Sequence, residues 1–305
     1  MDLYSESNEY SVLLKKKEMK NSKDFIKLFD LNIPCLEHFD YYLDQLSKTD
    51  RFKDIKYHLQ LFEEADSSID DFYSYKMSKT NDIIEFIKST NTYTDMMLDK
   101  NLASYPTNKT LQYEENKIYL SVDLKSANWH SLKSYDQQNE LGNSYDEFLK
   151  KFDLPKVFTH SKYLRQFIFG NVNPKKQQII QRNIMQKDVI RKFDSDFEIE
   201  GVKNDEVVFI LKNFSESDKI IKNIDSERFK IRIFKIERVE DFRIFNYYDS
   251  KGNFIRKEMI GCSGNQLYMK LKEYITGEKI DIRDLYFKSE GKLAIWMVEG
   301  LDIKV

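Results

Sequence analysis

Near Lys117 the spacing of apolar residues changes, and that change commits the chain to a mixed α and β fold. Before it, apolar residues recur at helical period. Phe25, Ile26, Leu28 and Phe29 make one stripe, Phe39, Tyr42, Leu43 and Leu46 a second, and Ile83, Ile84, Phe86 and Ile87 a third. After it, short runs rich in Val, Ile and Phe alternate with polar helical stretches. Phe229-Lys-Ile-Arg-Ile-Phe-Lys-Ile is the clearest of them, and its alternation predicts a strand with one buried face.

Read in order from Lys117, the elements are a strand over 117–123, a short helix opened by the capping box Ser144-Tyr-Asp-Glu147, and a longer helical region from about Ser161 to Phe193. That region is interrupted at Asn171-Val-Asn-Pro174, where Asn173 is a suitable N-cap with proline at the first helical position. Residues 197–211 read as two strands joined by a tight turn, Ser217 opens a helix, and the strand from Phe229 follows. The order β, α, β, β, α, β is that of a split βαβ, ferredoxin-like sheet, in which the first and third strands are neighbours. Beyond it, a hairpin around Asp249 to Gly252, a helix over 265–275 stopped by Gly277 and a final hairpin from Asp284 predict a C-terminal β extension. The expected class is α+β, with a helical region at 1–105, an antiparallel sheet domain at 106–240 and the extension at 241–305.

Bulk properties narrow the function. Lys and Arg (49) nearly balance Asp and Glu (51), so any attraction to nucleic acid must be local rather than global. The two cysteines, Cys35 and Cys262, are far apart, which argues against a disulfide scaffold or a zinc site and fits an intracellular, reducing setting. No apolar run approaches the roughly 18 residues of a membrane span, and the N-terminus lacks a secretory pattern, so no membrane role is expected.

The chemistry sits at strand ends. Asp123 closes the 117–123 strand, and Asp205 with Glu206 opens another. Neighbouring strands lie about 4.8 Å apart, so acids at matching heights converge, and converging carboxylates can hold divalent metal for phosphoryl chemistry. Ordinary solvated turn acids are the plain alternative.

At these motifs the chain resembles the palm of family A DNA polymerases. Asn204-Asp-Glu-Val-Val-Phe is similar to that family's hairpin motif of histidine, aspartate, glutamate and apolar residues, with Asn204 in place of the histidine. Val122-Asp-Leu-Lys-Ser-Ala-Asn resembles its first metal-binding motif and the corresponding segment of family B polymerases. Lys162-Tyr-Leu-Arg-Gln-Phe-Ile-Phe-Gly is similar to the fingers helix in which a basic residue precedes Phe-Gly.

The resemblance implies a reduced palm with a fold and site to match. Asp123 and Asp205 would bind two Mg²⁺ (or Mn²⁺) ions with Glu206 beside them. Lys162 and Arg165 would steady a nucleoside triphosphate, and Phe169 would stack near the base. Asn128 falls where a sugar-sensing Glu or Tyr stands in those families, and Asn173 where family A has a tyrosine. The likeness covers 117–211, too short an interval for complete fingers. Partners completing a polymerase, replication or transcription complex are therefore part of the expectation.

A cationic series, Lys175, Lys176, Arg182, Lys187 and Arg191, could line a phosphate track on DNA or RNA or simply be a solvated helix face. Trp129 reads first as a core anchor, and His130 as a structural histidine. Three functions are thus open: metal-dependent, template-directed nucleotidyl transfer, an inactive palm-derived module for nucleic-acid binding or assembly, and a nucleotidyl cyclase-like enzyme.

Overall fold

The strand beginning at Ile118 pairs with a strand on each side, and those two pairings build the sheet. In the computed structural model, the described residues are 22–29, 31, 33–47, 55, 69–106, 111–152, 154, 158, 161–239, 242–259, 272–295 and 303–304. Six strands make the main sheet: Ile118–Leu124 (β1), Glu198–Val202 (β2), Glu206–Leu211 (β3), Phe229–Val239 (β4), Phe242–Tyr248 (β5) and Phe254–Met259 (β6). Their order is β2-β3-β1-β4-β5-β6, with antiparallel neighbours throughout. The fold is therefore a mixed helix and sheet structure, and the first and third strands do lie side by side.

Residues alternate between the two faces. Leu120, Val122 and Leu124 point to one, with Val207, Phe209, Leu211, Phe229 and Ile233 beside them, all buried. Helices cover this face. The Pro174–Met185 helix runs into a π-helical turn, Gln186–Ile190, and then Arg191–Phe193, whose Phe193 ring meets Phe209 edge-on at 6.1 Å. Asn173 caps that helix through Oδ1, which accepts the Lys176 amide at 3.0 Å, and Pro174 follows it.

On the opposite face an aromatic cluster closes one end. Tyr113, just ahead of β1, sets its ring 4.9 Å from Tyr119 and 5.5 Å from both Phe234 and Phe245. Such pairs add about 0.5–1.5 kcal/mol each beyond the apolar area they bury. Leu111 belongs to the same cluster and lies over Gly201, where a Cβ would come within 2.2 Å of it. The absence of a side chain at Gly201 is what admits Leu111. The other end of this face stays polar.

The chain divides into two compact units, Ile83–Lys151 with Gln166–Ile260, and Met1–Asp82 with Phe152–Arg165 and Gly261–Val305. Residues 241–260 join the sheet-bearing unit because β5 and β6 continue the sheet beyond β4, and residues 83–105 belong to it as well, tied through Thr92 to Asp136 and Glu140. In the other unit, Phe25 of the Ser22–Phe29 helix packs edge-on against Phe39 of the Phe39–Ser47 helix at 5.6 Å. Tyr42 donates to the Arg283 carbonyl at 2.6 Å, and Tyr41 to the buried Asp284 carboxylate, anchoring the second helix to the Ile282–Leu285 turn. Strands Tyr286–Ser289 and Lys292–Ile295 form the expected final hairpin, with Glu290 and Gly291 at φ 51° and 78° as its tight turn demands.

Two expectations need adjustment. Ser144 accepts the Glu147 amide at 3.1 Å as a capping box requires, but Glu147 reaches back to the Asn143 amide at 2.9 Å, one residue beyond the cap. Most of the helix expected at 265–275 lies outside the described residues. Lys272–Thr276 is helical and ends as expected at Gly277, whose φ is 77°. Among the described residues no helix is long and apolar enough to cross a membrane.

The loop after the Ala127–Lys133 helix folds around one acid. The Asp136 side chain is fully buried and accepts from Lys133 Nζ at 2.8 Å, the Glu140 amide at 2.6 Å, the Leu141 amide at 3.1 Å and Thr92 Oγ1 at 3.1 Å. Burial alone would raise its pKa, but the Lys133 ammonium and these donors outweigh it and hold it low. A depressed folded-state pKa contributes stability that is present above the unfolded value near 4 and lost as pH falls through the folded one. We expect Asp136→Ala to cost about 3 kcal/mol at neutral pH, with the deficit shrinking below about pH 4. Urea unfolding at both pH values checks this; a pH-independent deficit would contradict it.

Candidate functional site

The polar end of the sheet collects its charges by register. Asp123 on β1 stands opposite Glu206 on β3 and opposite Lys230 on β4, while Ser121 stands opposite Arg232. Residues two apart on a strand share a face, so all five belong to the face opposite the one that Phe193 packs on. Asp205 occupies the β2–β3 turn, and its carbonyl accepts the Leu124 amide at 2.8 Å, which fixes the turn against the end of β1.

Arg232 is the centre of the arrangement. Its Nη2 lies 3.0 Å from Asp123 Oδ2 and 3.1 Å from Glu206 Oε1, bridging two facing carboxylates. Ser121 donates to the same Glu206 oxygen at 2.5 Å, and Lys203 meets the other at 2.9 Å. Burial would raise the pKa of Glu206, but Ser121, Lys203 and Arg232 reverse this and lower it. Asp123 goes the other way. Burial pushes it up to about 6, Glu206 and Asp205 add to the rise, and Arg232 and Lys230 offset only part. Asp205 is raised as well, first by burial, although its own amide and the nearby Lys203 and Arg232 work against it.

Asp123, Asp205 and Glu206 are thus interleaved with Lys203, Lys230 and Arg232 in balanced charge. Among the described residues Glu206 accepts from Ser121, Lys203 and Arg232, whereas Asp123 accepts from Arg232 alone. Among the described residues no group of three or more His, Cys, Asp or Glu side chains is arranged to hold a metal ion.

The remaining sequence candidates are dispersed. Phe169 is 2% exposed, with Trp129, Tyr145 and Phe148 at 5.3, 5.4 and 5.9 Å, so its ring lies inside an aromatic cluster and offers no face to a base. Trp129 is a core residue, as its preferred reading holds. Asn128 accepts from Gln181 Nε2 at 2.9 Å, on the helical side of the sheet. Lys162 and Arg165 fall in the unit that does not hold the acids; the Lys162 side chain lies outside the described residues, and Arg165 is half-buried.

The cationic series divides by its partners. Lys176 donates to the Asp99 carbonyl and Arg182 to the Tyr105 carbonyl at 3.0 Å, so both brace the 99–105 segment. Lys175, Lys187 and Arg191 are exposed, and Arg191 also touches the Tyr105 hydroxyl at 3.4 Å.

Sequence reading missed Arg232, Ser121 and Lys203. The signal for Arg232 was the polar half of the 229–236 alternation, which gains meaning only when β4 is paired with β1. A scan against protein-family models gives no match, and a search of curated proteins finds none significantly similar to the chain.

If Arg232 couples the two acids, its removal and that of one acid are not additive. A double-mutant cycle of Arg232→Met and Glu206→Gln is expected to give a coupling of about 1–3 kcal/mol in urea unfolding, discounted for partial exposure. Additivity within about 0.5 kcal/mol would show that the bridge contributes nothing.

Proposed function

We propose that the acid cluster at the end of β1 and β3 is a palm-type site for metal-dependent nucleotidyl transfer on nucleic acid. The observation that carries the reading is the placement of Asp123 beside the Asp205–Glu206 turn, on the sheet face opposite the one that Phe193 packs on. The strand order β2-β3-β1-β4, with helices between β1 and β2 and between β3 and β4, is also the order of a split βαβ sheet and supports the ferredoxin-like palm.

The donor set suits Mg²⁺ or Mn²⁺. Mg²⁺ at phosphoryl-transfer sites takes one or two carboxylates and completes its shell with water and substrate phosphate, so Asp123 and Asp205 are enough protein ligands when a nucleotide is present. Bound there, the ion would neutralise phosphate charge and acidify an attacking hydroxyl. Glu206 is fixed by Ser121, Lys203 and Arg232, so its role is to hold Arg232 and the turn in place. Arg232 and Lys230 add positive charge where the phosphates of a nucleoside triphosphate or a primer end would lie. Lys175, Lys187 and Arg191 stand on the helical run that covers the other face of the sheet, so on this reading they take no part at the acid cluster.

One observation favours a second reading, an inactive nucleic-acid-binding or assembly module. Arg232 already bridges Asp123 and Glu206, in the place that a bound cation would take. A metal has to compete with that guanidinium.

Extension of a labelled primer on DNA and RNA templates, with Mg²⁺ or Mn²⁺, separates the two. Nucleotidyl transfer predicts extension that Asp123→Ala and Asp205→Ala each reduce by at least about 100-fold while both variants stay folded. Extension unaffected by both substitutions would remove the site assignment, and salt-sensitive binding without extension would support the second reading.

A further inference from the structure

Among the described residues β6 is the last strand of the sheet, and its outer edge is open. Phe254 and Ile255 are 56% and 58% exposed, and Arg256 and Glu258 are exposed beside them. An edge strand presents backbone N–H and C=O groups that another strand can complete, and proteins commonly guard such edges with bulges or charges. β6 has one bulge, at Ile255, and residues 256–259 continue in regular register with β5.

The charges of this edge are ordered by face. Arg256 and Glu258 stand opposite Tyr247 and Phe245, on the face that carries the aromatic cluster. The Arg256 guanidinium lies over the Tyr247 ring at 4.8 Å and meets Glu258 at 2.9 Å. Lys257 belongs to the other face, where its Nζ is 3.5 Å from Glu237 Oε2.

Such a strand is complementary to its own two-fold image. A two-fold axis perpendicular to the sheet sets the strand antiparallel to its copy and keeps every side chain on its own face, so only residues of one face can oppose each other. A register with Arg256 on the axis sets two arginines together, and one with Glu258 there sets two glutamates together; both are destabilising. With Lys257 on the axis, each Arg256 faces the partner's Glu258, and this happens twice by symmetry. Four charges then alternate in sign on one face. On the other face each Lys257 has its own Glu237 as counter-ion. The opposite edge of the sheet, β2, lacks this property, since its charges are both acidic, Glu198 and Glu200, and Glu200 already accepts the Gln112 amide at 3.2 Å.

We propose that β6 pairs antiparallel with β6 of a second copy of this chain, with Lys257 on the two-fold axis, so that the sheet runs on across a symmetric dimer. Pairing completes the backbone groups of the β6 edge and covers Ile255 with the far end of the partner strand. The assignment does not rest on the nucleotidyl-transfer reading. β6 is separated from β1 by β4 and β5, so the contact is made away from the acid cluster.

Sedimentation velocity of the full-length protein tests the pairing, with Arg256→Glu and Glu258→Arg as variants at exposed positions. The wild type is expected to dimerise between about 1 and 200 μM, and each single reversal to weaken the dimer at least about tenfold, because it sets like charges together at two symmetric places. Mixing the two variants restores opposite charges at both places. The mixture is therefore expected to recover a dimer, which also shows that both variants are folded. A wild type that stays monomeric up to about 200 μM would overturn the proposal. So would a dimer that survives both single reversals, a loss that mixing does not restore, or a series of species larger than the dimer, which would indicate head-to-tail pairing of β6 with β2.

Discussion

The position of β1 between β3 and β4 is the constraint on which the rest of this structure depends. That pairing sets Asp123 against Glu206 on one side and against Lys230 on the other, and puts Arg232 two residues along the same face. A shift of register by one residue would turn all of these side chains into the helical core and bring Val122 and Leu124 out. The apolar alternation forbids this, so the same residues that bury the helical face also hold the charged groups together on the other. Fold and site share one determinant.

Charge balance at the sheet end follows from that geometry. Facing carboxylates in a half-buried position repel one another, and a protein relieves the repulsion with a proton, a metal ion or a fixed cation. Arg232 is the fixed cation here; the Asp123 carboxyl is still raised, first by its burial and then by Glu206 and Asp205.

Much of the sheet was legible from sequence because its signals are local. The 229–236 alternation, Asn173 followed by Pro174, and the turn residues at 249–252 and 290–291 each report on backbone conformation within a few positions. The acids at 123, 205 and 206 were legible as a group because they sit at strand ends, where side chains meet if the strands pair. The role of Arg232 was not legible, since it depends on which strand lies alongside and in what register. Phe169 illustrates the same limit. A Phe-Gly pair at the end of a helix reads equally as a stacking group or a core residue, and only tertiary packing with Trp129, Tyr145 and Phe148 decides.

The central claim is that Asp123 and Asp205 form a metal site, and Fe²⁺-directed backbone cleavage addresses it without depending on turnover. With hydrogen peroxide and ascorbate added, Fe²⁺ bound in place of Mg²⁺ would reduce the peroxide to hydroxyl radical, which cuts the chain next to the ion's ligands. The account predicts cuts near residues 123 and 205, strengthened by nucleoside triphosphate and suppressed by excess Mg²⁺. Cleavage confined to other segments, or none near these residues with nucleotide present, would contradict it and leave Arg232 as the permanent counter-ion of the cluster.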